Sequence, residues 1–274
     1  MSRMVTHPFR ILAAAWALLL LLVSLAGAQP GPGNPPFNPT HYWTYHDSLP
    51  VYYPQAIRVQ DQFYRQPIPI DVDKRERLLN WVHKSISAAL PGSAVPDTFL
   101  HYTWWNIVNK KPTPRQVIVT NQFGSYIVQV HNLEFMLVPA LKNPNAANFN
   151  PPYANHYLCY RAFGFPAPPV GYDLRDEWRF DFQYPQPMEY LCTPCWKEHL
   201  GQIFAPVDTV THFAVYPIQP QSDSFTPFLL DQFWHGPTVV KQDPYEYLFV
   251  PSEKTDLPTA VKHRTWSRVK QLYR

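Results

Sequence analysis

The stretch at residues 156–178, HYLCYRAFGFPAPPVGYDLRDEW, decides the fold because the motifs at both of its ends recur along the chain. It opens on a histidine, an aromatic residue, two other residues and a second aromatic residue. It closes on an acidic residue, a glutamate and an aromatic residue. A third motif follows at residues 191–197, LCTPCWK, an apolar cluster that ends in lysine. Recurrence of such motifs at a fixed spacing is the sequence signature of a repeat architecture.

The three motifs appear four times in the same order and with nearly constant spacing. The opening histidines are 60, 55 and 56 residues apart, and the closing lysines are 58, 55 and 57 residues apart. This regularity predicts four tandem repeats of about 55–60 residues. The anchor residues are His41, His101, His156 and His212, then Phe63, Phe123, Trp178 and Phe233, and finally Lys84, Lys142, Lys197 and Lys254.

The segments between the anchors have the pattern of short strands. Val117 and Val119 recur with period two before the second anchor, and Tyr126, Val128 and Val130 recur with period two after it. The 32 prolines disfavour long helices. We therefore expect an all-β fold in which each repeat has about four short strands and packs as a small barrel- or sandwich-like unit. Helix is expected only at residues 75–87 and after Pro258.

The ends of the chain have their own compositions. Arg3, Arg10 and the apolar run at residues 11–25 resemble a secretory signal peptide, cleaved between Ala28 and Gln29, with an uncleaved N-terminal anchor as the alternative. We expect no membrane span after cleavage. The predicted organisation is a signal peptide at 1–28, a Pro/Gly-rich linker at 29–40, repeats at 41–100, 101–155, 156–211 and 212–257, and a basic C-terminal tail at 258–274.

Charge argues against nucleic acid as a partner. The whole chain has 23 basic and 20 acidic side chains, and removal of Arg3 and Arg10 leaves 21 against 20. Binding to nucleic acid requires clustered cations that displace counterions, and a net charge of +1 does not provide them. The basic tail is the local exception; a solvated chain end explains it, and contact with an anionic surface is the alternative.

The third repeat, with HYLCY, DEW and LCTPCWK, resembles an uncharacterised repeat domain of secreted bacterial proteins. The signature of that domain is approximately H-x-x-C-Y, then D-Q-F, then L-C-x-P-x-x-K. The resemblance extends from His41 to about Lys254 and is closest in the third repeat. It implies a secreted, β-rich repeat and no catalytic activity. The other three repeats lack both cysteines, and the first has Trp81 where the others have proline.

The three cysteines admit three interpretations. Cys159 and Cys192 occupy repeat positions that are both cysteine in one repeat and both non-cysteine in the others, so we expect a disulfide between them and an unpaired Cys195. Thiol redox chemistry at Cys192 and Cys195 is the second interpretation. A metal site at Cys192, Cys195 and His199 is the third, although a structural zinc site needs a fourth ligand.

The recurring polar anchors suggest structure more than chemistry, because an active site does not need four copies. We expect the histidines to begin strands, the lysines to cover apolar strand ends while their tips are solvated, and the residues at 61, 121, 176 and 231 to form Asx turns. The tryptophans fill the core or, alternatively, offer stacking platforms. They include Trp43, Trp104, Trp105, Trp196, Trp234 and Trp266.

The sequence does not contain the usual catalytic, nucleotide-binding or metalloprotease motifs, and it predicts no cofactor and no metal. The leading hypothesis is a secreted or periplasmic, non-enzymatic structural or interaction protein of unknown specific function. A module that binds carbohydrate or cell envelope through exposed aromatics is the first alternative, with a protein or an envelope glycan as partner. A thiol redox protein that uses Cys192 and Cys195 is the second.

Overall fold

The computed structural model describes residues 41–85, 100–143, 154–243 and 245–257. The predicted signal peptide, its cleavage site at Ala28 and Gln29, the linker, the basic tail and the helix expected after Pro258 lie outside these residues. Sixteen strands occur in the described ranges: β1 His41–Gln60, β2 Ile68–Ser85, β3 His101–Ile107, β4 Pro112–Asn121, β5 Gly124–Lys142, β6 His156–Phe163, β7 Tyr172–Arg175, β8 Phe180–Gln183, β9 Tyr190–His199, β10 Gln202–Phe204, β11 His212–Ile218, β12 Asp223–Phe225, β13 Phe228–Asp231, β14 His235–Pro237, β15 Val240–Gln242 and β16 Glu246–Asp256.

The all-β prediction is confirmed, and the strands pair antiparallel in one large sheet. The helix predicted at 75–87 is wrong, because the described part of that segment, to Ser85, lies in β2. Its leucines and lysine favour helix locally. Alternate side chains nevertheless face two different cores, and pairing with two neighbouring strands overrides the helical preference.

The longest strands each combine two of the predicted short strands. β1, β2 and β5 are 20, 18 and 19 residues long, and their pairings shift register near the middle. A bulge inserts an unpaired residue and bends the strand, so one strand can contribute to two parts of the sheet. In the first half of the chain, the four short strands expected in each predicted repeat are therefore segments of two or three longer, bent strands.

The first and last segments of the predicted repeats close into a cylinder of eight strand segments. Within each predicted repeat they pair as Tyr42 with Trp81, Tyr102 with Pro139, Tyr157 with Pro194 and Phe213 with Pro251. Between neighbours they pair as Leu79 with Tyr102, Leu137 with Tyr157, Cys192 with Phe213 and Phe249 with Tyr42. The last pairing joins β16 to β1 and closes the cylinder. The predicted repeats therefore share one closed wall and do not each form the small barrel or sandwich that was expected.

The second segment of each predicted repeat crosses to the repeat two places along. There it pairs beside the closing lysine, as Val59 with Lys197, Val119 with Lys254, Leu174 with Lys84 and Leu229 with Lys142. The register is the same at all four places. Each unit is therefore hydrogen bonded to three others, which supplies the buried area that a chain of about 55 residues lacks alone.

Two cores result from this arrangement. The core inside the cylinder contains Tyr42, Tyr102, Tyr157 and Phe213, whose rings contact one another in a closed circuit with centroid distances of 4.9–5.8 Å. The outer core lies between the cylinder wall and the crossing segments, and it contains Trp43, Tyr45, Trp105, Tyr160 and Tyr216. An eight-stranded closed sheet has an interior that side chains alone can fill.

Candidate functional site

The acidic or amide residue two positions before each second anchor, at residues 61, 121, 176 and 231, forms two kinds of hydrogen bond. One side-chain oxygen accepts from the backbone N–H two residues later, at Phe63, Phe123, Trp178 and Phe233, with distances of 2.7–2.9 Å. These contacts confirm the predicted Asx turns. The remaining polar atom of the side chain reaches an aromatic residue of the repeat two places along.

These longer-range contacts join predicted repeats that are two places apart, here called opposite repeats, and each repeat of a pair supplies one such contact to the other. Tyr45 donates its hydroxyl hydrogen bond to Asp176, and Tyr160 donates to Asp61, at 2.7 and 2.8 Å. Trp105 donates to Asp231 at 3.2 Å, and Asn121 donates to the hydroxyl of Tyr216 at 3.0 Å. Burial raises the pKa of Asp61 and of Asp231, and their hydrogen bonds oppose the shift. The second anchors thus tie opposite repeats together through buried hydrogen bonds.

The closing lysines lie over the aromatic rings of the next repeat. The ammonium of Lys84 is over Phe123, Lys142 over Trp178, Lys197 over Phe233 and Lys254 over Phe63, at 4.5–5.6 Å from the ring centroids. The expectation that the lysine tips are solvated is wrong for Lys142, Lys197 and Lys254, whose side chains are at most 1 % exposed. A ring face attracts a desolvated cation, which the sequence pattern alone does not reveal.

Desolvation sets the protonation of two of these lysines. Burial lowers the pKa of Lys197 to about 7 and that of the half-buried Lys84 to about 8. Lys142 instead forms an ion pair with Glu177, the residue that replaces the glutamine of the other second anchors. The Nζ atom of Lys197 has no hydrogen-bond acceptor.

The opening histidines also contact a neighbouring repeat. The side-chain amides of Gln122, Gln62 and Gln232 donate to Nε2 of His41, His212 and His156, at 2.7, 2.6 and 3.3 Å. Burial lowers the pKa of His41 to about 3 and that of His212 to about 4, and it lowers the pKa values of His101 and His156 well below their usual range. The imidazoles are therefore neutral at physiological pH and unsuited to acid catalysis there.

The predicted disulfide between Cys159 and Cys192 is present, and it lies in the core of the cylinder. Cys195 is buried and unpaired, and desolvation raises the pKa of its thiol well above the usual range. A buried, protonated thiol is a poor nucleophile. Within the described ranges, no three His, Cys, Asp or Glu side chains are grouped so that they could hold a metal ion.

One end of the cylinder brings together charged residues that the sequence did not single out. Arg77 donates from Nε to Glu246 at 3.3 Å, and its guanidinium lies over the rings of Trp104 and Tyr247. Thr44 also donates to Glu246, at 2.5 Å, and burial raises the pKa of this carboxyl to about 7. A group that titrates near neutrality is a candidate functional residue. Here the carboxylate is completely buried, so a substrate has no access to it.

A cavity of about 470 Å³ lies where β1 changes register, beside the turn after β14. It is lined by Val51, Tyr52, Thr226, Trp234, Pro237, Thr238 and Val239. Behind Thr238 a buried ion pair joins Arg75 and Asp47 at 2.8 Å. Of these residues only Trp234 was a sequence candidate. The other lining residues could not be identified from the sequence, because they come from distant parts of the chain, as residues 51 and 238 do.

The described tryptophans do not offer exposed stacking platforms. Trp43, Trp104 and Trp105 are buried, and Trp81, Trp178, Trp196 and Trp234 are partly buried. Trp266 lies outside the described residues. The exposed aromatic side chains are instead tyrosines and phenylalanines, three of which are at Phe180, Phe182 and Tyr184 along and just after β8. None of the described segments is a helix long and apolar enough to span a membrane.

Comparison with known proteins places the repeat in a family. The profile of a repeat of unknown function, DUF7450, matches residues 101–251, which is more than half of the chain. Neither a curated protein nor a solved structure matches the chain. The matched residues begin at the opening histidine of the second predicted repeat and end at Pro251 in β16. The chain therefore belongs to the DUF7450 family of repeats of unknown function.

Proposed function

We propose that this chain is a non-enzymatic structural or interaction protein of an oxidising, extracytoplasmic compartment in bacteria. One observation carries the proposal: the recurring histidines, second anchors and lysines are directed at neighbouring or opposite repeats. These histidines, acidic residues and lysines, which could suggest catalysis by their chemistry, thus form contacts that hold the predicted repeats together. The Cys159–Cys192 disulfide supports an oxidising compartment, where such bonds persist.

The compartment is tested by fractionating a bacterial host that expresses the full chain with a C-terminal tag. We expect the chain in the periplasm or the medium, shortened by residues 1–28, with Cys159 and Cys192 resistant to thiol alkylation in denaturant before reduction. The matched control lacks residues 2–28 and should stay in the cytoplasm with reduced cysteines. A full-length chain that stays cytoplasmic would contradict the proposal.

The redox alternative is tested by insulin reduction with dithiothreitol as electron donor. We expect no acceleration by the wild-type protein, because Cys192 is bonded to Cys159 and Cys195 is buried. Cys195→Ala serves as the matched variant, since alanine is native at the equivalent position 140. Acceleration by the wild type that this variant loses would establish thiol exchange at Cys192 and Cys195 instead.

The binding-module alternative is favoured by one observation, the exposed aromatic residues of β8. Phe180 and Phe182 lie on β8, the last strand of the sheet order, and Tyr184 follows it; their side chains are 55 %, 46 % and 62 % exposed. Aromatic faces on an accessible edge suit a glycan or a protein partner. This function requires contact through that stripe, which residues 180, 182 and 184 define.

Co-sedimentation with purified cell-wall sacculi tests the stripe. If the alternative is correct, replacing Phe180, Phe182 and Tyr184 by serine should abolish sedimentation. The control replaces three other exposed apolar residues, Leu200, Ile203 and Val207, by serine and should sediment as the wild type does. Equal behaviour of the two triple variants would exclude the stripe as an envelope-binding surface.

A further inference from the structure

One junction between predicted repeats combines two departures from the recurring pattern. Asn80 occupies a position at which the other repeats have valine or threonine, at residues 138, 193 and 250. Glu177 occupies a position at which the other repeats have glutamine. Both side chains contact the closing lysine of a third predicted repeat, Lys142. The fold thus brings an amine, a primary amide and a carboxylate together at this one of the four equivalent junctions.

The side chains of Lys142 and Asn80 are in direct contact. The Nζ atom of Lys142 donates to Oδ1 of Asn80 at 2.9 Å. Since Cγ of the amide is one bond from Oδ1, a small shift of the amine brings it to about 3–3.5 Å from that carbon, the separation of a near-attack conformer. Both side chains are completely buried, so bulk water does not compete with the amine for the amide carbon.

The carboxylate of Glu177 contacts both of these groups. It forms an ion pair with the ammonium of Lys142, and both of its oxygens accept from Nδ2 of Asn80 at 3.1 Å. It can therefore take a proton from the amine and deliver one to the amide nitrogen, which general acid–base catalysis of an amide exchange requires. The ring of Trp178 covers the ammonium at 4.5 Å from the ring centroid.

Asp176 fixes the orientation of the amide. It accepts from Nδ2 of Asn80 at 2.5 Å and from the hydroxyl of Tyr45 at 2.7 Å. Ionised carboxylates only accept hydrogen bonds, so the NH₂ group of Asn80 faces the two acids and its carbonyl oxygen faces Lys142. Asp176 is a positioning residue that these donors already engage, and Glu177 is the carboxylate that touches both the amine and the amide.

We propose that Lys142 and Asn80 become joined by an isopeptide bond, with Glu177 as the catalytic residue. The bond from Nζ to Cγ forms, and the bond from Cγ to Nδ2 breaks. Two of the three ammonium protons pass through Glu177: one goes to the departing nitrogen, and the other leaves with it as an ammonium ion. The products are a secondary amide and ammonium, so the reaction consumes no oxidant or other co-reactant.

The reaction occurs once in each chain, and its product is a covalent connection between two predicted repeats. It joins β2 to β5, which are separated in the sheet by β3. This inference goes beyond the structural role proposed above, because that role needs only the non-covalent contacts.

Peptide mapping of the full chain tests the proposal. After reduction and digestion with trypsin, we expect peptide 78–84 joined to peptide 116–161, uncut after Lys142 and about 17 Da lighter than the two peptides together, because ammonia is lost. The intact chain should lose the same mass. An N-terminal Gln29 that cyclises, or an Asn80 that closes on its own backbone, loses this mass as well, so the branched peptide is the decisive observation.

Matched variants separate the chemistry from folding. Glu177→Gln introduces the glutamine of the other second anchors, and Asn80→Val introduces the valine found at residues 138 and 250. Both should retain the circular dichroism of the wild type and yield separate peptides. Lys84→Arg changes the closing lysine of a junction that has Val250 in place of asparagine, and it should keep the branched peptide.

Two outcomes count against the proposal. Separate, unmodified peptides from the folded wild type would overturn the isopeptide bond. A branched peptide that forms in Glu177→Gln with the yield of the wild type would overturn the catalytic role of Glu177.

Discussion

At the scale of single residues, the molecule depends on polar side chains that are buried in pairs from distant parts of the sequence. Asp61 accepts from the backbone N–H of Phe63, from the hydroxyl of Tyr160 and from Thr193. A buried carboxylate is tolerated only when such donors replace its hydration. Each donor is therefore expected to contribute measurably to the free energy of unfolding.

Replacement of Tyr160 by phenylalanine removes one of these donors without changing the ring. We expect a loss of about 1–3 kcal/mol in the free energy of unfolding, because the carboxylate of Asp61 stays buried with one hydrogen bond fewer. Urea denaturation at neutral pH measures this loss. Tyr53→Phe, at an exposed position, is the control and should be neutral. A Tyr160→Phe protein as stable as the wild type would show that the hydrogen bond contributes nothing.

Lys197 is expected to make stability depend on pH. Its pKa is about 7 in the folded state and 10.5 in the reference state, so the unfolded chain holds the additional proton between these values. Stability should accordingly rise as the pH increases from about 7 to about 10.5, and the penalty is complete below pH 7.

Replacement by methionine should remove the penalty and the part of the slope that Lys197 contributes. We expect Lys197→Met to be more stable than the wild type by about 1–4 kcal/mol at pH 6 and to show a smaller rise in stability above pH 7, as measured by urea denaturation from pH 6 to 10. The remaining rise comes from Lys84, whose pKa burial lowers to about 8. Lys241→Met, at a lysine whose side chain is 41 % exposed, is the control and should keep the rise. A Lys197→Met protein that is destabilised at pH 6 would show that the contact of the ammonium with Phe233 outweighs its desolvation.

At the scale of the strands, the disulfide joins the first and last segments of one predicted repeat inside the cylinder. It closes a loop with a sequence separation of 33 residues, so chain-entropy reasoning gives a contribution of about 3–4 kcal/mol. Replacing both Cys159 and Cys192 by alanine should lower the free energy of unfolding by that amount or more, because the substitutions also remove buried sulfur.

Urea denaturation checks this value, and peptide mapping without reductant checks the pairing. Cys195→Ala is the control and should keep both the Cys159–Cys192 peptide and most of the stability. Recovery from the wild-type protein of a peptide that joins Cys192 to Cys195 would contradict the strand register shown by the pairing of Cys159 with Cys192.

The sequence was a good guide to the strands and a poor one to their partners. Alternation at Val117, Val119 and the anchors predicted the β segments, because Val117 and Val119 lie in the outer core while Gln116 and Thr120 are exposed, and the strands of the cylinder wall alternate between the two cores. The union of segments into long bent strands could not be predicted, since a bulge depends on the neighbouring strand. The pairing of Arg77 with Glu246 and the wall of the Trp234 cavity were missed for the same reason. They join residues that only the closed cylinder brings together.

At the scale of the whole molecule, closure of the cylinder predicts that the predicted repeats fold together. A chain that ends at residue 211 lacks β11 and β16, which pair with β9 and β1. We therefore expect this chain to be completely unfolded, and not merely to lack the structure of the fourth predicted repeat. Circular dichroism and urea denaturation measure this outcome, and a chain that ends at Leu257 is the folded control. Cooperative unfolding of the shorter chain would show that the first three predicted repeats are stable alone, as in an open solenoid.

The pairing of Tyr42 with Phe249 has a further consequence for where the polypeptide can be interrupted. Since the first and last strands are neighbours in an unbroken wall, the order of the units along the gene is one of several equivalent orders around the wall. A circularly permuted chain, joined at the old termini and opened between residues 143 and 154, would keep every inter-strand hydrogen bond of the cylinder. Gain or loss of a single unit, by contrast, would change the circumference of the cylinder. The aromatic core inside it would then be either loosely packed or overcrowded.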